Sequence, residues 1–472
     1  MGGSAPDRTF EWPETRVLVL GASRSGKAAA AALARRGARV VLSDTKERRG
    51  LGDLTGLERA GVVVVGGDQP PALLEGVELV VKSPGVPGEA PVVTAARTRG
   101  VPVWSELELA YRLFANPVTA VTGTNGKTTT TALLGHMFAV AGRPAHVAGN
   151  IGAAVSALPD DLDPQDELVI EVSSFQLEDV AAFRPAAGVF LNLTPDHLDR
   201  HGTMHRYLDC KAKLFAQQRT GDTAVMNQGD PAVRSLADEL AARPGGPRVA
   251  RFATAAGVGL DSWLADGWLH LEGRPAVPVG ELPLRGLHNM ENCLAAGTAA
   301  LARGLEWGAV VESLRTFPGV PHRLERAGSV HGVAYVNDSK ATNVEATLKA
   351  LAAYPEGTHL ILGGRDKASD YRPVARACAR GCRGVYLIGE ATPLIADAFA
   401  RVRAEERLST VPEPRAYGDL ETAVRAAAAV AQPGEVVLLA PACASFDQYS
   451  DFEARGRHFA ELVQRLGSES DE

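Results

Sequence analysis

The run Val121-Thr122-Gly123-Thr124-Asn125-Gly126-Lys127-Thr128-Thr129-Thr130 sets a glycine-punctuated turn between an apolar stretch, Pro117 to Val121, and a helix-forming stretch through Leu134. A strand, a tight turn and a helix start together aim backbone N–H groups and the positive end of the helix dipole at a chain of phosphates. Lys127 adds a point charge for the terminal phosphates, and Thr128 adds a hydroxyl for Mg²⁺. The motif usually has a glycine five residues before the second one, and Val121 stands there. The match is therefore to Gly-Lys-Thr in its context, and it predicts binding of a nucleoside triphosphate.

Other side chains with chemical potential lie at strand ends and helix starts. Glu171, in Glu171-Val172-Ser173-Ser174-Phe175-Gln176, falls in an apolar strand, where an unpaired carboxylate is costly. A Mg²⁺ ligand explains it better than a surface residue. The run Asn192-Leu193-Thr194-Pro195-Asp196-His197-Leu198-Asp199-Arg200-His201 gathers ligand-type side chains, although His197 taken alone reads as a capping or core histidine. Lys211 lies on a helical stretch, Tyr207 to Phe215, and by spacing alone is a solvated surface lysine. His288-Asn289-Met290-Glu291-Asn292 opens a helix with Asn289 and Asn292 about one turn apart, able to meet a base or sugar. Arg323, in Pro321-His322-Arg323, suits a phosphate. Asn337-Asp338-Ser339-Lys340-Ala341-Thr342-Asn343 is both a helix cap and a pairing of Asp338 with Lys340 fit for ribose or phosphate. Caps and surface ion pairs remain the plain alternative for these last three groups.

These residues need a framework of strands and helices. The first segment starts with a strand, Arg16 to Leu20, the turn Gly21-Ala22-Ser23-Arg24-Ser25-Gly26, a helix to about Arg36, and a strand Arg39 to Ser43 ending at Asp44. This is a βαβ start of the dinucleotide-binding kind, but its middle glycine is Ser23, which weakens a dinucleotide reading. Gly21 and Gly26 suit a mononucleotide or nucleotide sugar, or simply a tight turn. Strands Val62 to Val65 and Leu79 to Lys82 follow, the latter leading into the rigid turn Ser83-Pro84-Gly85-Val86-Pro87. The second segment carries the phosphate turn and strands at Glu167 to Val172 and Phe190 to Leu193. Short apolar pieces between about Val249 and Pro283 predict an antiparallel insertion, with Trp263 and Trp268 as packing residues. A helix spans His288 to Arg303. Past Phe317-Pro318-Gly319-Val320-Pro321, strands at Val333 to Val336, His359 to Leu362, Gly384 to Ile388 and Val436 to Leu439 alternate with helices. The expected fold class is α/β in three domains: 1–116 Rossmann-like, 117–319 P-loop ATPase-like with the antiparallel insertion, and 320–472 Rossmann-like.

Composition agrees with this plan. A chain of 472 residues is too long for one core, and 45% apolar with 22% charged residues is ordinary for a globular protein. A net charge of -7 argues against nonspecific nucleic-acid binding. Met1 to Glu14 has neither the basic start nor the apolar segment of a secretory signal, and no run approaches a membrane span, so a cytoplasmic protein is expected. The five cysteines, including Cys378 and Cys382 on an expected helix, read as buried or half-buried thiols of a reducing compartment. The tail Gly467 to Glu472 is expected to be disordered.

Together these residues resemble the Mur ligases, which add amino acids to the peptidoglycan precursor, and more distantly the folylpolyglutamate synthetases. The resemblance covers essentially the whole chain. It is carried by Thr122 to Thr129, Asn150-Ile151-Gly152, His288 to Asn292, Pro321-His322-Arg323 and Asn337 to Asn343. Within the family, Glu171 to Leu177, Asp196 to Thr203 and Pro441-Ala442-Cys443-Ala444-Ser445-Phe446-Asp447-Gln448-Tyr449, running on to Gly456, resemble the D-glutamate-adding branch.

The resemblance implies roles that spacing leaves open. Arg24, Ser25, Asp44, Thr45 and Gly85 would hold the uridine diphosphate of UDP-N-acetylmuramoyl-L-alanine, with Asn150 on its muramoyl part and Ser173 also at the substrate. Gly123, Thr124, Asn125, Gly126, Lys127, Thr128 and Thr129 would bind the ATP phosphates, with Asn289, Asn292, Arg323, Asp338 and Lys340 around the adenosine and phosphates. Thr128, Glu171, His197 and Lys211 would hold two Mg²⁺ ions. Lys211 would do so as a carbamate formed with CO₂, which reverses its reading as a surface lysine. Lys367, Ser445 and Phe452, with Thr342 close by, would hold D-glutamate. Lys127, His197 and Lys211 would form the catalytic group. The implied reaction phosphorylates a carboxylate and then lets an amine displace phosphate, with closure about Phe317 to Pro321. No protein nucleophile is required, and a monomer is expected. His197 is a general-base candidate by position, although metal ligation would remove it from that role. Two departures from the family pattern stand out: Ala368 replaces a usual glycine after Lys367, and Leu214 a common isoleucine.

Overall fold

The computed structural model describes residues 11–406 and 408–470. The chain folds as two compact units. One runs to Pro283 and includes Asn289–Phe317; the other combines Leu284–His288 with the residues from Pro318 onward.

The first unit holds two sheets. In the N-terminal one, β1 (Arg16–Leu20), β2 (Arg39–Asp44), β3 (Val63–Gly66), β4 (Leu79–Lys82) and β5 (Val103–Ser105) are parallel in the order β3-β2-β1-β4-β5. Alternation along β1 sorts the core: Val17 and Val19 pack with Ala29, Ala30 and Leu33, while Leu18 and Leu20 pack with Val92, Val93 and Ala96 on the opposite face. Burying each of the Val and Leu side chains contributes roughly 1.5–3 kcal/mol. The order reverses between β1 and β4, so a crevice opens where their carboxyl-end turns meet. There the Ser83 hydroxyl donates to the Gly21 carbonyl at 3.0 Å.

The middle sheet has nine strands. β6 (Val118–Thr122), β7 (Ala145–Gly149), β8 (Glu167–Glu171), β9 (Ala187–Phe190), β10 (Thr223–Asn227), β11 (Arg248–Ala253), β12 (Ser262–Ala265), β13 (Trp268–Leu271) and β14 (Arg274–Pro278) stand in the order β14-β13-β12-β11-β10-β9-β6-β8-β7. β6 is central, between β8 and β9, so its carboxyl end lies at the point where strand order reverses.

Two expectations change here. The ninth strand ends at Phe190, because Asn192 and Leu193 turn their backbone groups to Thr124 and Asp230 instead of a ladder. The region from Val249 is antiparallel only from β12; β11 runs parallel to β10, so the insertion extends the main sheet. Trp263 is half-buried and stacks on His270 with centroids 5.1 Å apart. Trp268 is 40% exposed, since the alternation of β13 turns Leu269 and Leu271 inward instead.

The second unit carries β15 (Glu325–Val330), β16 (Val333–Asn337), β17 (Thr358–Gly363), β18 (Cys382–Ile388), β19 (Arg415–Gly418) and β20 (Val436–Leu439), ordered β15-β16-β20-β17-β18-β19. All pairs are parallel except β15 with β16. Leu360 and Leu362 face one core, and Ile361 the other. Cys378 and Cys382 do not share a helix: Cys378 ends the helix Arg372–Cys378 and Cys382 opens β18, both as free thiols. Gly467 to Ser470 are the last residues of the helix Phe452–Ser470, which corrects the disordered tail expected there. Asp471 and Glu472 lie outside the described residues, as do Met1 to Phe10. No helix among the described residues is long and apolar enough to cross a membrane.

Candidate active site

The turn after β6 is built for close approach. Gly126 has φ +86°, and a Cβ there would run into the Asn292 Oδ1. Helix Lys127–Val140 starts immediately, so the positive end of its dipole lies at the turn. The turn is braced from the β9 side: Asn192 O accepts from Thr124 N, and Asn192 Oδ1 accepts from Asn125 N, each at 2.9 Å. Thr124 Oγ1 receives Thr194 N at 3.0 Å. On the other side, Asn292 Nδ2 donates to Asn289 Oδ1 at 3.0 Å, and Asn292 Oδ1 accepts from Thr130 at 3.2 Å. The two asparagines expected near ATP are thus packed against the phosphate turn.

Two lysines converge on one oxygen. Lys127 Nζ donates to Gly123 O at 2.9 Å and to Thr124 O at 2.7 Å, and Lys211 Nζ donates to Gly123 O at 2.8 Å. Lys211 is 1% exposed, against its reading by spacing as a solvated residue. Burial first, and Lys127 next, hold its pKa well below the ordinary lysine value, despite Asp196, Cys210 and Glu171 pulling upward. A neutral amine is the form that attacks CO₂.

Glu171, the last residue of β8, is 2% exposed. Its Oε1 accepts from Asn150 Nδ2 at 2.8 Å, while its Oε2 is buried with no hydrogen-bond partner among the described residues. Such an orphaned oxygen suits a cation. No group of three or more His, Cys, Asp or Glu residues among those described is arranged to hold a metal.

His197 is exposed and sits at φ +53° before the helix Leu198–His201. Its ring faces Phe175 at 4.8 Å and Tyr207 at 6.5 Å. Tyr207 joins the group: Lys211 Nζ lies 4.6 Å from its ring centre, and its hydroxyl is 3.3 Å from Thr124 Oγ1. Sequence reasoning passed over Tyr207 because a helical tyrosine ordinarily reads as core. His201 is buried, shares a 2.9 Å hydrogen bond with Ser174 Oγ, and has its pKa lowered by burial. Ser173 caps the short helix Ser174–Leu177 through a box with Gln176.

Around the first turn, Asp44 accepts from Ala22 N at 2.7 Å and from Lys46 N at 2.9 Å. Arg24 Nη2 donates to Asn150 O at 3.3 Å, linking the first turn to the residue that holds Glu171. Arg24 and Thr45 are exposed, Ser25 is half-buried, and a Cβ at Gly85 would meet open space.

In the second unit, the expected D-glutamate residues follow three adjacent strands: Thr342 after β16, Ser445 and Phe452 after β20, and Lys367 after β17. Ser339 Oγ donates to Phe452 O at 2.8 Å, and Lys340 Nζ lies 5.1 Å from the Phe452 ring centre. Arg455, whose role the sequence left unassigned, is 1% exposed and donates to Ser339 Oγ, Ser339 O and Cys443 O. Asp338 is buried, which pushes its pKa up to about 6 although Arg323 and the Leu324 N–H pull it down. Lys367 is exposed on a loop organised by Asp366, which accepts from Ala368 N, Ser369 N and the Tyr371 hydroxyl. Ala368 itself has φ +56°, so the residue standing in place of the usual glycine carries strain.

Models for a Mur ligase MurD-like N-terminal domain, a Mur ligase middle domain and a Mur ligase glutamate ligase domain match residues 15–105, 121–300 and 322–443. A UDP-N-acetylmuramoylalanine–D-glutamate ligase of Pelotomaculum thermopropionicum is 45% identical, over 97% of this chain and 99% of its own. One so named from Acidobacterium capsulatum is 41% identical over 95% and 96%. Among solved structures, MurF of Acinetobacter baumannii shares the fold at a TM-score of 0.60 and 17% identity, covering 95% of this chain and 93% of its own. A UDP-N-acetylmuramate–alanine ligase of Thermotoga maritima does so at 0.58 and 20%, covering 96% and 99%. With three domain models along its length and relatives matching nearly end to end, the chain belongs to the Mur ligase family.

Proposed function

We propose that this Mur ligase uses ATP to join D-glutamate to UDP-N-acetylmuramoyl-L-alanine, in the cytoplasmic stage of peptidoglycan synthesis and as a monomer. The observation that carries the reading is the meeting of Lys127 and Lys211 on Gly123 O beside the orphaned Glu171 oxygen. D-Glutamate as the incoming amino acid is supported by near-full-length relatives named for that reaction. In this assignment residues 1–116 bind the nucleotide sugar, 117–319 the triphosphate and 320–472 the amino acid.

A carboxylate does not react directly with an amine, because its oxygen leaves poorly. The terminal carboxylate oxygen of the nucleotide sugar attacks the γ-phosphorus of ATP, and ADP departs. The amine nitrogen of D-glutamate then attacks the acyl carbon and loses a proton, and phosphate leaves with one former carboxylate oxygen. Lys127 and the helix start hold the triphosphate in line, so catalysis rests on positioning and electrostatics. Asn150 holds the Glu171 carboxylate by Oε1, which leaves Oε2 for a cation. Thr128, Glu171, His197 and Lys211 carbamylated by CO₂ fit two Mg²⁺ ions, which would neutralise charge as carboxylate and phosphate approach. Thr342, Lys367, Ser445 and Phe452 hold D-glutamate.

Isotope transfer tests the route. Nucleotide sugar labelled with ¹⁸O in its carboxylate should yield phosphate carrying one ¹⁸O when ATP and D-glutamate are present. Unlabelled phosphate with product formed would reject the acyl phosphate.

A further inference from the structure

The side chain of Lys82, at the end of β4, is 0% exposed, and nothing in the reaction above uses it. A buried ammonium is costly unless opposite charge and hydrogen bonds surround it. Its partners directly follow the short helix Ser174–Leu177: Nζ donates to Glu178 Oε2 at 2.7 Å and lies 3.0 Å from Asp179 Oδ2. Glu178 is also clasped from the other side. Arg200 donates through Nε to Oε1 at 3.1 Å and through Nη2 to Oε2 at 2.7 Å, and Lys213 donates to the Glu178 carbonyl.

Both cations then reach the same third point. Lys82 Nζ at 3.1 Å and Arg200 Nη2 at 2.8 Å donate to the carbonyl of Val86, inside the turn Ser83–Pro87 whose Gly85 lies open. Arg200 belongs to the helix Leu198–His201, directly after His197. Its guanidinium lies 5.4 Å from the Phe175 ring centre, and that ring also faces His197. One carboxylate thus ties the nucleotide-sugar turn of the first sheet to the ligand-bearing turn of the second.

We infer that Glu178, through Lys82 and Arg200, is a positioning residue that keeps the Ser83–Pro87 turn and the His197 turn in one register, and so sets where the bound nucleotide sugar lies. The inference rests on the assignment of the Gly85 turn to that substrate. A tether with only a structural role would alter stability without singling out one of the three substrates. A tether that positions the turn alters nucleotide-sugar binding by itself, before any chemistry.

The test uses the full chain with Glu178→Gln, which keeps the shape and removes the charge, and Lys82→Met, which removes the other end. Calorimetric titration with UDP-N-acetylmuramoyl-L-alanine, without ATP, should show about tenfold weaker binding in each variant. The KM for that substrate should rise in step, while the KM for D-glutamate and the affinity for a non-hydrolysable ATP analogue stay within about twofold. Unchanged nucleotide-sugar affinity in a folded variant, or equal losses for all three ligands, would overturn the inference. If one variant does not fold, the other carries the test. A wild-type protein that binds the nucleotide sugar but releases no phosphate with D-glutamate would reject the reaction instead, and the calorimetric comparison would still stand.

Discussion

The turns at Gly21–Gly26 and Gly123–Gly126 begin as the same device. Each follows a central parallel strand, has a glycine of positive φ (Gly21 at +90°, Gly126 at +86°) and opens a helix. They differ in what the rest of the chain delivers to them. At the first, the Ala22 N–H is taken by Asp44, the Gly21 carbonyl by Ser83, and the cation at the helix start is Arg24, which is exposed. At the second, two lysines, a buried carboxylate and a bracing asparagine converge from separate elements. Backbone geometry makes both turns able to meet phosphate. In the proposed reaction, charge brought from afar is what separates holding a phosphate from transferring one.

The largest expected effect breaks that contrast directly. Lys127→Ala should lower D-glutamate-dependent phosphate release by roughly 10³-fold, whereas Arg24→Ala should mainly raise the KM for the nucleotide sugar by about tenfold. Similar losses in kcat from both would erase the distinction between the turns. Lys211→Met should cost on the order of 10²-fold or more in kcat. In the wild type, ¹³C-bicarbonate should produce a carbamate carbon resonance that Lys211→Met lacks; its persistence in the variant would place the carbamate elsewhere.

The third sheet offers a control, because its strand-end acid faces burial rather than a glycine turn. The Asp338 pKa is raised from 3.8 to about 6, so between those values the native state keeps its proton while the unfolded chain loses it. Its contribution to stability is fully present below the unfolded pKa and is lost as pH rises through about 6. Relative to Asp338→Asn, the wild type should lose about 2–3 kcal/mol of unfolding free energy between about pH 4 and pH 7. Denaturant titrations across that range check the slope, and a flat difference would contradict it. The smallest change is Ala368→Gly, which should stabilise by about 1 kcal/mol by relieving the positive φ. Destabilisation instead would mean that unfolded-chain entropy outweighs the strain.

The elements were legible where periodicity is strong. β1, β4 and β20 begin and end where alternation and apolar runs place them, because both faces of those strands are covered. β9 was read late, since hydrophobicity continues through Leu191 and Leu193 after the ladder ends. Local spacing alone singles out Lys127 and Thr128, and the structure sets Lys127 against the Gly123 and Thr124 carbonyls of that turn. Lys211 does not stand out by spacing: the Gly123 carbonyl that its ammonium meets is far away in sequence, and only the family resemblance sets it apart from a surface lysine before that contact is seen. Lys82, Glu178 and Arg200 were passed over for a related reason. Charged residues near strand ends read as solvated, and their mutual burial depends on how two sheets dock.

The measurement that bears most directly on the account is phosphate release from ATP with UDP-N-acetylmuramoyl-L-alanine, run separately with D-glutamate, L-glutamate, L-alanine, L-lysine and meso-diaminopimelate. Release with D-glutamate alone is the predicted result. Release with another of these amino acids in place of D-glutamate, or none from folded protein that binds ATP, would contradict it.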